Sequence, residues 1–359
     1  MNRIFWVALL GIGCTSEAGT SVAGDAESPH DSSADASSPP ESDAPAPDAG
    51  PGGPEDTPSE ADTATPEPPP LRGGCAPGTR VGGFIVEEQE KYSIVDGKVN
   101  DAVVPGSVLT LEAEVTVCGG AARAECGELP VEARCTLWRR PILACTPGCT
   151  GSEICGLEGE CVPFPTSVDF GVVTITGLTD DVAMSPLPPG KSYFDTDVPH
   201  PVFEPQAHIE LSAEGLSLFG VGVAPLVPGE GDLILTEDAD LPITWEPGEV
   251  PQAHVALDLT IDQHGTSPLS LRCAFADTGE AAVPASLISA LIEAGVSGFP
   301  NARLIRRTLD SQSTPLGCVE LGVGSPRGLP VRVAGFTPCK SAAQCPPGKT
   351  CNIALEQCQ

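Results

Sequence analysis

The chemistry most plainly written into this chain is that of its thiols. Fifteen cysteines in 359 residues argue for pairing in an oxidising compartment, because a reducing cytosol keeps thiols apart. Setting Cys14 aside leaves an even set. Cys75, Cys118, Cys126, Cys135, Cys145, Cys149, Cys155 and Cys161 come first, Cys273 and Cys318 stand as a pair, and Cys339, Cys345, Cys351 and Cys358 close the chain. Even blocks of this kind predict a disulfide framework. Cys273 is in phase with the inward residues of its strand, so a Cys273–Cys318 bridge is expected across the core or its edge, contributing about 4 kcal/mol by loop closure. The blocks 145–161 and 339–358 hold no Cys-x2-Cys and no histidine, so zinc is set aside and no metal is assigned.

Acid–base chemistry has weaker support. Asp262-Gln263-His264 ends a candidate strand, and residues two apart share a face, so Asp262 is placed to orient His264 as a general base. Asp277-Thr278-Gly279 offers a second carboxylate. Tight turns need Asp and Gly as well, and that explanation suffices; no catalytic residue is assigned. Asp238 with Asp240, and Asp195 with Asp197, are loop carboxylate pairs that could ligate calcium, without EF-hand spacing. Gly348-Lys349-Thr350 echoes a phosphate loop, but Ala343 stands where its first glycine belongs. Arg303, Arg306 and Arg307 form the basic cluster of the acidic domain, to be read as a solvated strand face or as a seat for an anionic ligand. With 18 Lys and Arg against 49 Asp and Glu, a net charge of −31 excludes a nucleic-acid binder, which needs clustered cations. No cofactor is expected.

The front of the chain supplies a location. Arg3 and the run Ile4 to Leu10 have the form of a short secretory signal, far below the ~20 apolar residues a membrane span requires. Leu10-Gly11-Ile12-Gly13-Cys14 resembles a bacterial lipobox, with Gly11 departing from the commoner leucine. The resemblance implies cleavage before Cys14 and acylation of its thiol, hence a membrane partner through a lipid anchor at the outer membrane or cell surface. Residues 15–71 carry 13 Asp and Glu, 12 Pro and no Lys or Arg. Such a segment buries too little apolar surface to offset its ordering entropy, so a disordered stalk is expected. Fully extended, it would reach on the order of 175 Å at ~3.1 Å per residue.

Behind the stalk, the pattern has period two. Leu109 to Val117, Ala207 to Ala213, Val255 to Ile261 and Leu269 to Phe275 alternate apolar with polar residues, placing one face in a core and one in water. Shorter strands are expected at 81–86, 168–176, 243–245, 302–308, 318–323 and 329–333. With 40 Gly, 39 Pro and 4% aromatics, the expectation is an all-β fold, an antiparallel β-sandwich of immunoglobulin-like type. One short helix is predicted, with Pro284 in its first turn, a stripe of Leu287, Ile288, Leu291 and Ile292, and Gly295 at its end.

Cys145-x3-Cys149-x5-Cys155-x5-Cys161 parallels Cys339-x5-Cys345-x5-Cys351-x6-Cys358, with Glu160 and Glu356 within two residues of the last cysteine. The second block, containing Gln344-Cys345-Pro346-Pro347-Gly348-Lys349-Thr350-Cys351, resembles the cysteine-rich repeats of secreted myxobacterial lipoproteins, themselves similar to the Dickkopf-type fold. That likeness implies a compartment and a module type, and no activity. Ile243-Thr244-Trp245 resembles the start of cell-surface immunoglobulin-like domains and of the yeast Kre9/KNH group; a buried structural Trp245 is the simpler account.

The expected organisation is a signal peptide (1–13), a lipid-anchored stalk (14–72), a cysteine-rich β subdomain (73–165), a β-sandwich (166–336) and a C-terminal cysteine module (337–359). The expected role is non-enzymatic binding, adhesion or envelope structure, with a cell-surface protein or glycan as partner. Two rivals make other demands. A secreted hydrolase needs His264 beside Asp262 or Asp277, and a protease-inhibitor-like effector needs an exposed rigid loop in one of the cysteine modules.

Overall fold

A computed structural model describes residues 69–116, 134–262 and 269–359, and its organising element is a long hairpin. Asn301–Thr314 and Gly317–Val333 pair from Asn301 opposite Pro330 to Thr314 opposite Gly317. At ~3.3 Å per residue the first arm is roughly 45 Å long. Thr314 Oγ1 holds the turn, accepting from the Leu316 N–H at 3.2 Å and donating to the Gly317 carbonyl at 2.8 Å. Two separate strands were expected in the second arm, because Pro326 and Gly328 interrupt the apolar run. Pro326 is tolerated because it falls in the gap between the two strands that flank this arm on its far side, where the missing N–H leaves no ladder broken.

One large sheet grows from this hairpin. Beyond the first arm lie His254–Thr260, Leu269–Ala276, Arg134–Arg139 and Thr110–Thr116, all antiparallel. Beyond the second arm lie Arg80–Glu88, Ser93–Val99 and Tyr193–Asp195, and Leu233–Leu235 joins its far end. Arg80–Glu88 and Leu233–Leu235 both run parallel to Gly317–Val333, so the expectation of a purely antiparallel fold is corrected. Parallel neighbours need a long crossover, and the whole middle of the chain separates Glu88 from Gly317. The sheet draws strands from both the 73–165 and the 166–336 stretches.

The inner face of this sheet carries two apolar clusters with different covers. Over Phe84, Val86, Val95, Leu321 and Val323 lies a four-stranded antiparallel sheet, Leu216–Val221, His208–Ala213, Val173–Thr176 and Val182–Met184. Tyr193 is fully buried there, tilted against Phe84 at 5.6 Å, and its hydroxyl accepts from the Phe170 N–H at 2.8 Å. Over Leu257, Leu259, Leu271, Phe275 and Leu304 lie the ribbon Leu241–Thr244 with Glu280–Val283 and the helix Ala285–Ala294. Leu287, Ile288 and Leu291 are the helix's buried stripe, as the spacing requires, and Gly295 ends it with a positive φ of 121°. Pro284 is the N-cap, one position earlier than expected, and a distant residue does the capping: Asp240 accepts from the Ala285 N–H at 2.9 Å. Trp245 is buried and stacks on Phe275 at 6.1 Å.

The four-stranded cover is tied to the large sheet by side chains that complete a backbone ladder. Leu216–Val221 is the cover's edge strand, and its alternate N–H groups meet alternate side chains of Asn301–Thr314. Ser217 donates to Gln312 at 3.0 Å, Phe219 to Asp310 at 2.9 Å and Val221 to Thr308 at 3.1 Å. Thr308 returns a bond to the Val221 carbonyl at 2.9 Å, and Gln312 returns one to Gly215 at 3.0 Å. Arg72 clamps the same place, with Nε at 2.9 Å from Asp310 and a terminal nitrogen at 2.8 Å from the Ser217 carbonyl. An open edge would otherwise present unpaired donors to other chains.

Six disulfides are described, and two of them correct the block pattern. Cys135 pairs with Cys273 and Cys75 with Cys318, so Cys273–Cys318 does not form. Two strands, His254–Thr260 and Asn301–Thr314, stand between the strands that carry Cys273 and Cys318. At ~4.8 Å per strand that separation is about 14 Å, beyond a disulfide's reach. Cys135 lies directly opposite Cys273 on the neighbouring strand. The other four bridges are Cys145–Cys155, Cys149–Cys161, Cys339–Cys351 and Cys345–Cys358. Both modules therefore pair first with third and second with fourth, each around a two-stranded ribbon. Cys14, Cys118 and Cys126 lie outside the described residues.

Candidate functional site

The residues singled out for acid–base work are distributed, and those described are already engaged. Asp277 follows Leu269–Ala276 and is buried with Arg306. One carboxylate oxygen accepts from Arg306 Nε at 2.7 Å; the other accepts from Trp245 Nε1 at 2.7 Å and from an Arg306 terminal nitrogen at 3.3 Å. Arg306 also donates to the carbonyls of Ala224 at 3.2 Å, Pro225 at 3.1 Å and Glu246. The Asp277–Arg306 pair thus fastens four chain segments together, 224–225, 245–246, Asp277 and Arg306. Asp262 is buried and accepts from Ser297 Oγ, while His264 lies outside the described residues. Asp240 is the helix cap, Asp238 accepts from Ser289 Oγ at 3.3 Å, and Asp195 accepts from the Asp197 N–H at 2.8 Å.

Sequence reasoning missed a cluster on the other hairpin. Ser93 Oγ lies 3.1 Å from His200 Nδ1, and Glu88 stands directly opposite Ser93 across the strands. Burial raises the Glu88 pKa, countered by His200 and Arg327, with Glu204 adding to the rise and the Val202 backbone opposing it. The types are those of a hydrolytic triad, but Ser93 is only 2% exposed, and its hydroxyl ties the strand to the loop that carries His200. No local signal marks this cluster, because His200 arrives from far along the chain.

The sulfurs of Cys145, Cys149 and Cys161, and of Cys339, Cys345 and Cys351, crowd together. They do so because two bridges interleave in each module, and oxidised sulfur offers no thiolate to a metal. Each module also presents a large aliphatic side chain two residues after its third cysteine. Leu157 is 55% and Ile353 62% exposed.

The arginine cluster is where charge and shape converge. Alternation along Asn301–Thr314 splits it: Arg306 turns inward, while Arg303 and Arg307 share the outer face of the large sheet. Arg303 pairs with Glu87, and nearby Arg80 pairs with Glu320 at 2.6 Å. Arg307 has no such partner: among the described residues, no carboxylate oxygen lies within ion-pair distance of it. Its Nε donates to Nε2 of His254, directly opposite on the next strand, at 3.2 Å. Burial, then the Arg307 charge, lowers the His254 pKa from 6.5 to about 3, against a smaller upward pull from Asp277. The ring is therefore neutral and accepts at Nε2, which leaves its proton on Nδ1. Burial likewise lowers the Arg307 pKa, while Asp258, Glu320 and Glu87 support its charge from a distance and Arg80 opposes it.

Arg307 lines a trough of about 80 Å³ in the sheet's outer face. Ile85, Ile305 and Leu309 contribute apolar walls, and Gly322 and Gly324 form its floor. Glycine is what keeps it open. A Cβ at Gly322 would stand 3.4 Å from Leu309 and 3.9 Å from Ile85, and one at Gly324 would press on the Arg306 carbonyl at 2.9 Å. Around the trough three arginines, Arg80, Arg303 and Arg307, face two glutamates, Glu87 and Glu320, in a chain whose net charge is −31. No protein-family model and no curated protein matches this chain.

Proposed function

We propose that the protein is an exported, lipid-anchored envelope protein whose folded part binds a partner without catalysis, using the outer face of the large sheet. The six described disulfides suggest an extracytoplasmic setting, and the lipobox-like Leu10 to Cys14 supports anchoring through Cys14. One contrast carries the binding role. Inside the sheet, Asp277 and Arg306 consume each other's bonding capacity; outside it, Arg307 keeps donors for something the described chain does not provide. An outer-membrane or cell-surface position, with a surface protein or glycan as partner, fits this arrangement.

Two measurements test the proposal. Cys14→Ser is expected to move the protein from the detergent phase to the aqueous phase and to abolish incorporation of labelled fatty acid. Persistence of the variant in the detergent phase would remove the anchor. For the binding role, immobilised full-length protein is expected to retain an envelope component that Arg307→Gln loses. Equal retention by the two proteins would take the role away from this face.

A further inference from the structure

We infer that Arg307 anchors a site for an oxyanion, a carboxylate or phosphate group seated on its two terminal nitrogens in the glycine-floored trough. The inference rests on the outer face being a binding face, and it specifies the chemistry that this face recognises.

The geometry leads there by subtraction. A guanidinium has five N–H donors in a planar fork. At Arg307 one is spent on His254, and among the described residues the terminal nitrogens meet no acceptor. The side chain is half-buried, so its cation is partly withdrawn from water with no counter-charge in contact among the described residues, and an oxyanion would supply one. The flanking glutamates do not supply it, because Glu87 is held by Arg303 and Glu320 by Arg80 and the Cys75 N–H at 2.6 Å. His254 fixes the fork's orientation, since it takes the Nε bond and leaves the two terminal nitrogens as the open edge. Planar two-oxygen groups match that edge with parallel hydrogen bonds, which a halide or a hydroxyl group cannot do. The trough's size suits a single small anionic group.

The test uses full-length protein in detergent, titrated with acetate, inorganic phosphate and, at matched ionic strength, chloride. The readout is the backbone amide resonance of Gly324 and its neighbours. At least one oxyanion is expected to shift these signals saturably, while chloride does not. Arg307→Lys keeps the charge and removes the fork, and is expected to weaken binding at least tenfold. Gly322→Ala fills the floor without touching any charge and is expected to weaken it at least as much. Acetate binding alone identifies a carboxylate, phosphate binding alone a phosphate group. The inference falls if no oxyanion saturates, if chloride matches them, or if Arg307→Lys binds as tightly as the unaltered protein. Should the oxyanions fail while Arg307→Gln still loses its envelope component, the ligand class is wrong and the binding face stands; should both fail, the face itself is wrong.

Discussion

Arg306 and Arg307 are one residue apart on Asn301–Thr314, and the pleat sends them to opposite faces of one sheet. Arg306 makes five hydrogen bonds, one for each of its donors. Arg307 makes one, to a neutral ring. Identical side chains on one strand thus perform opposite tasks, and what separates them is the supply of acceptors. Asp277 and three carbonyls converge on the inner position, whereas the carboxylates near the outer one are taken by other arginines. A saturated guanidinium is structural; an unsaturated one is available.

The largest expected effect tests the inner half of that contrast. Arg306→Gln leaves Asp277 buried without its cation and should destabilise the protein by about 3–5 kcal/mol, read from the urea midpoint, whereas Arg307→Gln should change it by less than about 1 kcal/mol. Equal losses would erase the distinction. Next in size, Trp245→Phe keeps the stack on Phe275 and removes one donor to Asp277. Loss of a charge-assisted bond should lower stability by about 1.5–3 kcal/mol; no change would mean Arg306 alone satisfies the carboxylate.

The smallest effect concerns the outer half and its pH dependence. His254 has a folded-state pKa of about 3 against 6.5 when unperturbed. Between those values the unfolded chain binds a proton that the folded one refuses, so stability is full above pH 6.5 and falls as pH drops through that window. From pH 7 to 5.5 the folding constant should fall on the order of tenfold. His254→Asn should remove that step. A step that survives the substitution belongs to another group.

Much of the fold was legible because alternation is local. Leu257 and Leu259, Leu271 and Phe275, and Leu287 with Leu291 announce their faces without knowledge of a partner. The paired modules were legible as relatives of each other, but their common connectivity was not, since four cysteines admit three pairings at any spacing. What escaped depended on strand order. Cys273 was visibly inward, but only the sheet's sequence of neighbours puts Cys135 opposite it and removes Cys318 from reach. The hairpin of His208–Ala213 with Leu216–Val221 was half seen; Glu214-Gly215 between two alternating runs marks the turn, and the Phe219-Gly220 step obscured the second run. The arginine cluster was visible as three charges, yet its division was hidden because Leu304 and Ile305 are both apolar and blur the phase that assigns Arg306 to the interior.

Cys75 is joined to Cys318 a few residues after Arg72 clamps Asp310. Tension arriving from the N-terminal side is therefore delivered covalently to Gly317–Val333, a strand with neighbours on both sides, and bypasses the weaker rim. A load applied there meets hydrogen-bonded ladders on both sides of the strand, where a border strand would offer only one. Whatever acts on residues before Cys75 is thereby coupled to the interior of the large sheet.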